Sequence, residues 1–209
     1  AYNNLGNCYL KTKEYRKAIN AYERALNINP DFAIAHKNLG NCFRDLNEYE
    51  KALNCYIKAI NLNSTYIEAY IDVALLFKNT NQHQEALSYL GYAIALDEKN
   101  TIALFNYGLI LQELGRYQES IEYFNQSLII KKISGEIHYS CAVSFYKLKK
   151  YKEALDSCLK AFNSNYITSD LYSIHGLILQ ELDQNFASIE YFDKAIRLDP
   201  HSPQHYLNR

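Results

Sequence analysis

Two nearly identical stretches determine the organisation of this chain: residues 4–9 read Asn-Leu-Gly-Asn-Cys-Tyr, and residues 38–43 read Asn-Leu-Gly-Asn-Cys-Phe. The second begins 34 positions after the first, and the same step carries Ala18 to Ala52. Self-similarity at a period of this length is typical of architectures built from stacked supersecondary units. The whole chain of 209 residues therefore aligns on a 34-residue period.

Small residues recur at three positions of this period, with no insertion or deletion. Small side chains let two helix backbones approach closely, and the segments 33–46 and 49–62 both have helical patterns around a short polar turn. A turn this short makes its two helices antiparallel neighbours. The three columns read Gly6, Gly40, Ala74, Gly108, Ala142, Gly176; Ala18, Ala52, Ala86, Ser120, Ala154, Ser188; and Ala25, Ala59, Ala93, Ser127, Ala161, Ala195.

The sequence thus predicts an all-α fold of twelve helices in antiparallel pairs, with a partial thirteenth near Pro203 and no strand. Six repeats and the start of a seventh are expected. Their boundaries are 1–32, 33–66, 67–100, 101–134, 135–168, 169–202 and 203–209.

The repeated unit resembles the tetratricopeptide repeat, a helix–turn–helix motif of the same length. In repeat 1 the resemblance rests on Tyr2, Leu5, Gly6, Tyr9, Tyr15, Ala18, Tyr22, Ala25 and Pro30. It covers essentially the whole chain, and it implies one domain, 1–209, in which the helix pairs stack into a right-handed superhelical solenoid. Residues 131–134 lack the usual Pro, so an irregular junction is expected there.

Composition and motifs argue against several classes of function. A formal net charge of -1 provides no positive potential that would attract nucleic acid. This charge and the strict 34-residue period both argue against the RNA-binding helical repeats of 35 residues. No apolar run is long enough for membrane insertion. No phosphate loop, zinc-protease motif or nucleophile elbow occurs, so we predict no enzyme, no catalytic residue and no cofactor. His201 and His205 have metal-ligand spacing, but Ser202-Pro203 predicts a helix that begins after His201, so no metal site is expected.

The cysteines indicate a reducing environment. The chain has five, an odd number without a Cys-x-x-Cys pair, which fits a disulfide framework poorly. We expect small buried thiols and a cytoplasmic protein. The chain contains no Met and its repeats begin and end out of phase, so we also expect a piece of a longer protein. The cysteines are Cys8, Cys42, Cys55, Cys141 and Cys158.

The resemblance implies that the first helices line a concave groove, through positions equivalent to Asn3, Asn4, Asn7, Leu10 and Lys11. An Asn amide both donates and accepts, so Asn residues along the groove suit a bound peptide backbone. The columns through Asn3 and Asn7 become apolar in repeats 3 to 5, which favours apolar contacts with a ligand there. The alternative for Leu75, Leu109 and Val143 is that they pack between adjacent first helices. The candidate groove residues are Asn4, Asn7, Lys37, Asn38, Asn41, Ile71, Asp72, Leu75, Phe105, Asn106, Leu109, Tyr139 and Tyr146.

Three functions remain open at this stage. The leading prediction is a non-catalytic scaffold that binds a peptide or protein segment in its groove within a larger assembly. The alternatives are the substrate-recruiting arm of an enzyme such as an O-linked glycosyltransferase, and a self-associating structural rod. The carboxylate clamp of chaperone-tail-binding relatives is rejected, because Asp72 stands where that clamp needs Asn, and Ile102 and Asn106 replace its two basic residues.

Overall fold

The computed structural model describes residues 1–131 and 134–209. Those residues form thirteen helices and no strand, so the predicted all-α fold of antiparallel helix pairs is confirmed. The irregular junction predicted at 131–134 concerns Lys132 and Ile133, which lie outside the described residues. The helices are α1 (Tyr2–Lys11), α2 (Tyr15–Ile28), α3 (Ala33–Asp45), α4 (Tyr49–Leu62), α5 (Ile67–Asn79), α6 (His83–Leu96), α7 (Thr101–Glu113), α8 (Tyr117–Ile130), α9 (Gly135–Lys147), α10 (Tyr151–Asn163), α11 (Ser169–Glu181), α12 (Asn185–Leu198) and α13 (Pro203–Asn208).

The chain forms two compact units, Ala1–Glu98 and Lys99–Arg209. In the first unit, α1 to α6 form three pairs; α2 also contacts α3, and α4 contacts α5. Its core consists of clusters between neighbouring helices, such as Tyr22 of α2 with Leu39 and Cys42 of α3. The second unit contains α7 to α13 in the same arrangement, with Phe124 of α8 packed against Ile137 of α9.

In four of the six pairs, close approach depends on a glycine that faces an aromatic ring. A Cβ atom on Gly40 would lie 2.6 Å from the Tyr56 ring, and one on Gly108 would lie 2.5 Å from the Phe124 ring. Where the small residue is Ala, the facing side chain is smaller than an aromatic ring. The six pairs are Gly6–Tyr22, Gly40–Tyr56, Ala74–Leu90, Gly108–Phe124, Ala142–Cys158 and Gly176–Phe192.

The turn inside each pair contains a residue in the left-handed region of backbone space. It recurs at the same position of the period, but Gly115 is the one glycine among six such residues. The other five keep a side chain in a conformation that L-residues rarely adopt. The six residues are Lys13, Asn47, Asn81, Gly115, Lys149 and Asp183.

The cysteines are all free thiols, but their environments differ. Four are buried, and burial raises the pKa of the Cys42 and Cys141 thiols to about 12. The prediction of a buried thiol is wrong for Cys8, which is exposed. The reason is that α2 packs across Cys42 on α3, whereas no described helix lies in the equivalent place beside α1.

The chain's last helix begins as its sequence predicts. Ser202 precedes it as the capping residue and Pro203 is its first residue, so exposed His201 lies outside the helix while His205 is buried inside it. Across the described ranges, no helix is both long and apolar enough to cross a membrane.

Candidate functional site

The predicted polar column through Asn4 joins the first helices of successive repeats. Asn38 donates from Nδ2 to Oδ1 of Asn3 at 3.3 Å and to Oδ1 of Asn7 at 3.0 Å, which connects α3 to α1. Asn208 repeats this contact in the second unit, because its Nδ2 donates to Oγ of Ser173 at 2.9 Å. These amides therefore hold the repeats together.

Two other members of that column do not join repeats by an amide bond. Asn4 is exposed on α1, and Asn106 donates from Nδ2 to the carbonyl of Ile102 in its own helix at 2.8 Å. The column therefore does not form one continuous ladder of free amides.

The column through Asn7 contains hydrogen-bond partners for buried tyrosines. Tyr22 donates its hydroxyl to Oδ1 of Asn7 at 2.7 Å, and Tyr56 donates to Oδ1 of Asn41 at 2.8 Å. Both rings are fully buried, and burial raises the pKa of both phenols. In repeats 3 to 6 the buried position is Leu, Phe or Cys, and the Asn position is Leu or Val. Asn thus occurs in this column only in the repeats whose buried ring is a tyrosine, and an apolar residue replaces it where there is no phenol to bond.

Asp72 occupies the centre of an ion-pair cluster on α3 and α5. Its side chain is 13% exposed, with the Lys37 ammonium at 3.3 Å and the Arg44 guanidinium at 3.6 Å. Arg44 also pairs with Asp45 at 2.9 Å. Burial raises the pKa of the Asp72 carboxyl, and Lys37 and Arg44 act in the opposite direction. Lys37 already has a carboxylate partner, which gives a physical reason to reject the carboxylate clamp.

The first unit offers little apolar surface at the predicted positions. Ile71 is only 6% exposed, and Leu75 is half-buried. Side chains this well covered add to the core of α5 more than to a binding surface.

The second unit has a row of half-buried apolar side chains on α7 and α9. We call Phe105, Leu109, Tyr139, Val143 and Tyr146 the apolar row. Every member is partly exposed, and each packs one side against a buried cluster of its own unit. The Phe105 ring lies 5.7 Å from the Phe124 ring, and Tyr146 lies 5.9 Å from Tyr151. Ile102, one turn before Phe105, is 60% exposed.

A polar network that the sequence analysis missed connects α7 to α9 beside the apolar row. Gln112 donates from Nε2 to the carbonyl of Ser140 at 2.8 Å and to Oγ of Ser144 at 2.7 Å. Oγ of Ser144 also lies 2.8 Å from Oγ of Ser120 on α8. The partners lie 28 and 32 residues from Gln112, which does not match the 34-residue period, so the repeat pattern carried no signal for this contact. This network fixes the two helices that carry the row.

The histidines lie in separate places. His36 lies 2.8 Å from the Pro30 carbonyl, and His175 stacks on Tyr191 with 4.0 Å between ring centres. Burial lowers the pKa of His175 to about 4. In the part of the chain that the structure describes, no three metal-binding side chains come together.

Comparisons with known proteins agree with this architecture. The sequence pattern of the tetratricopeptide repeat matches residues 1–32 and 33–66, and a second pattern of the same description matches 169–202. Residues 79–161 match the pattern of the anaphase-promoting complex, cyclosome, subunit 3. No curated protein sequence matches the chain significantly.

Solved structures show the same fold at low sequence identity. PilF of Pseudomonas aeruginosa has a TM-score of 0.87 at 21% identity, over 99% of this chain and 94% of that one. PilW, described as a type IV pilus biogenesis factor, has 0.87 at 19%, over 99% and 96%. YrrB, described as a TPR protein with an unusual peptide-binding site, has 0.72 at 21%, over 90% and 96%. At these identities the likeness concerns the fold alone.

Proposed function

The chain belongs to the tetratricopeptide repeat family, and on that premise we propose that it is a non-catalytic scaffold that binds a protein segment along α7 and α9. The observation that carries the proposal is the apolar row, which leaves aromatic and aliphatic surface accessible on adjacent first helices. Repeat proteins bind partners on extended surfaces of this kind, and contiguous exposed apolar surface generally marks an interaction site.

The chemistry of the row suits the anchoring of a side chain. Phe105 and Tyr139 each have one side supported by the core, so little motion of the ring is lost when a partner covers the other side. Burying one large apolar side chain there stabilises a complex by about 1.5–3 kcal/mol. Aromatic residues of this kind dominate the energy of many interfaces.

The first unit is a weaker candidate for the same role. Lys37 and Asp72, two of the predicted groove residues, form an ion pair with each other. Asn38 is hydrogen-bonded to Asn3 and Asn7. A partner would have to replace these internal contacts before it gained its own. We therefore place the bound segment on the second unit.

Two relatives support a binding role by their descriptions. YrrB is described by its peptide-binding site, and Cut9–Hcn1 is described as an APC/C hetero-tetramer, with 16% identity and a TM-score of 0.82. That match covers 99% of this chain and 41% of the other. We propose by analogy that this chain also works inside a larger protein assembly.

The test selects phage-displayed random peptides on the immobilised chain and measures their affinity for matched variants. Phe105→Ala with Tyr139→Ala should weaken binding at least about tenfold, whereas Glu122→Gln with Glu153→Gln on the exposed sides of α8 and α10 should leave it within about twofold. Ile102→Asp tests the same surface through an exposed residue, in case the double variant melts early. The proposal would be contradicted if peptides still bound the Phe105→Ala, Tyr139→Ala variant and the Ile102→Asp variant but no longer bound the variant of α8 and α10.

A further inference from the structure

The charges beside the apolar row are not distributed evenly. Glu136 and Asp170 occupy the first turns of α9 and α11, and both are exposed. We call these two carboxylates the acidic end. The equivalent residue of α7 is Ile102, which is 60% exposed. One end of the surface therefore combines an apolar side chain with two negative charges on the helices that follow.

A pair of aromatic rings accompanies those carboxylates, because Tyr139 lies one turn after Glu136 on α9 and Tyr166 lies four residues before Asp170. The rings of Tyr139 and Tyr166 are 5.9 Å apart and inclined by 37°, and both are partly exposed. We call them the tyrosine pair. Burial raises the pKa of the Tyr139 phenol to about 12, with a further contribution from Asp170. Burial also raises the pKa of Tyr166, to which Glu136 and Asp170 both contribute. Asp170 is thus close enough to act on both rings, and Glu136 is close enough to act on that of Tyr166.

No cation of the described ranges neutralises this end. Within residues 1–131 and 134–209, neither Glu136 nor Asp170 has a Lys, Arg or His at ion-pair distance, whereas Asp156 on α10 pairs with Lys160 at 2.6 Å. The faces of tyrosine rings attract cations, and the attraction increases when nearby carboxylates add their charge. The vacant partner at this end is therefore a positive one.

The opposite end of the same surface shows no such preference. At the opposite ends of α9 and α11, Lys147 and Glu181 contribute one charge of each sign. In the first unit the equivalent residue of α5, Glu68, is also acidic, but one turn later Lys37 and Arg44 pair with Asp72. Within the second unit, charge complementarity thus points to one end of the surface.

We infer that the segment bound on the apolar row carries a Lys or Arg side chain that lies over the tyrosine pair at the acidic end, and an apolar side chain that packs against Ile102 and Phe105. The inference rests on the proposed function and adds the chemistry of its partner. The expected ligand is therefore a basic segment rather than an acidic one.

The helix geometry also sets the spacing of the two side chains. Packed helices generally lie about 8–10 Å apart, and α7 and α9 are in contact. An extended chain advances about 3.3–3.6 Å per residue. The cation and the apolar anchor are therefore separated by about three residues along the bound segment.

The same peptide selection tests this when it is repeated on a Glu136→Gln, Asp170→Asn variant. Peptides recovered on the unaltered chain should combine an aromatic or aliphatic residue with Lys or Arg about three positions away. Synthetic copies should bind about fivefold more weakly to the variant and lose most of their salt dependence, since exposed ion pairs contribute modestly and are screened. Glu122→Gln with Glu153→Gln is the control matched in charge.

The outcomes separate this inference from the proposed function. Peptides that need Phe105 and Tyr139 but carry no enriched cation, or bind the acidic-end variant unchanged, would overturn the inference and leave the function standing. Recovered peptides that ignore the apolar row would overturn both. A variant that melts earlier with unaltered peptide affinity would mean that Glu136 and Asp170 serve only the N-termini of their helices, which overturns the inference.

A second copy of the chain is the remaining occupant to be tested. Light scattering should find the unaltered protein monomeric at the concentrations used for peptide binding. A dimer that Ile102→Asp converts to monomer would identify a second copy as the occupant and overturn the inference of a basic partner segment.

Discussion

Individual side chains of this protein depend on one another in pairs, and the pair of Asn41 with Tyr56 illustrates the rule. The phenol is fully buried, and the amide oxygen at 2.8 Å is its hydrogen-bond partner. A buried hydroxyl without a partner is costly, so Tyr at one position requires a polar residue at the other. In repeat 4 the same positions hold Phe124 and Leu109, which need no hydrogen bond.

The losses of stability from the two single substitutions of this pair should add up to more than the loss from the double substitution. Asn41→Leu leaves the Tyr56 hydroxyl buried without a partner and should lower the free energy of unfolding by about 1–3 kcal/mol. Tyr56→Phe alone should cost about 1 kcal/mol. The double variant reproduces repeat 4, so its loss should be about 1 kcal/mol less than the sum. Urea unfolding of the four proteins measures this, and additive effects would contradict it.

Glycine at position 108 should be required by the ring that faces it. A Cβ there would lie 2.5 Å from Phe124, so Gly108→Ala should destabilise by about 1–3 kcal/mol despite the better helix propensity of Ala. Adding Phe124→Leu should restore much of the loss, because Ala74 with Leu90 is a native combination.

Gly91 provides the matched control for this substitution. It lies within α6, and no atom lies within 4 Å of the place that an added Cβ would take. Gly91→Ala should therefore stabilise by about 1 kcal/mol through helix propensity alone. Equal effects at the two glycines would show that ring contact does not decide the cost.

At the scale of helices and turns, the left-handed residue between paired helices is open to improvement. Lys149 has a φ of 58°, where a side chain is strained, while Gly115 fills the same position of repeat 4. Lys149→Gly should raise the free energy of unfolding by about 0.5–1 kcal/mol, the relief exceeding the added freedom of the unfolded chain. Lys150→Gly, one residue on at a φ of -87°, should give no gain. Thermal melting compares the two.

The elements themselves were predictable from the sequence, because the helix pattern and the turns repeat with the period. The predicted segments 33–46 and 49–62 correspond to α3, Ala33–Asp45, and α4, Tyr49–Leu62. Helix identity rests on local spacing, which a single sequence contains.

The candidate site is harder to predict from the sequence, because a polar side chain on a first helix can either bind a ligand or form a hydrogen bond inside the protein. Asn38 looked available to a ligand, yet it bonds Asn3, 35 residues earlier. Tertiary contacts across a repeat boundary decide such a case. A sharper pattern was present nonetheless, since Asn7 and Asn41 occur with Tyr22 and Tyr56, 15 residues on. The binding role of the apolar row stays a prediction.

For the whole molecule, we expect local damage to stay local. Within each compact unit the repeats contact mainly their neighbours, so stability is close to a sum of repeat and interface contributions. Gly40→Ala should speed amide hydrogen exchange in α1 to α6 while the amides of α9 to α12 remain as protected as before. Gly176→Ala should give the converse pattern. Uniform acceleration along the chain in either variant would indicate one cooperative unit.

The pairing of Gly40 with Tyr56 also limits how such a gene can be rearranged. A recombination breakpoint inside a turn, between Asn47 and Glu48 for instance, would join the first helix of one repeat to the second helix of another. A first helix with Ala at the small position would then clash with a tyrosine ring. A first helix with Gly at that position would leave a void beside Leu. Breakpoints between repeats, such as 66 and 67, keep partners together. Shuffled libraries cut there should yield folded chimaeras far more often, so the inheritable module is the whole repeat.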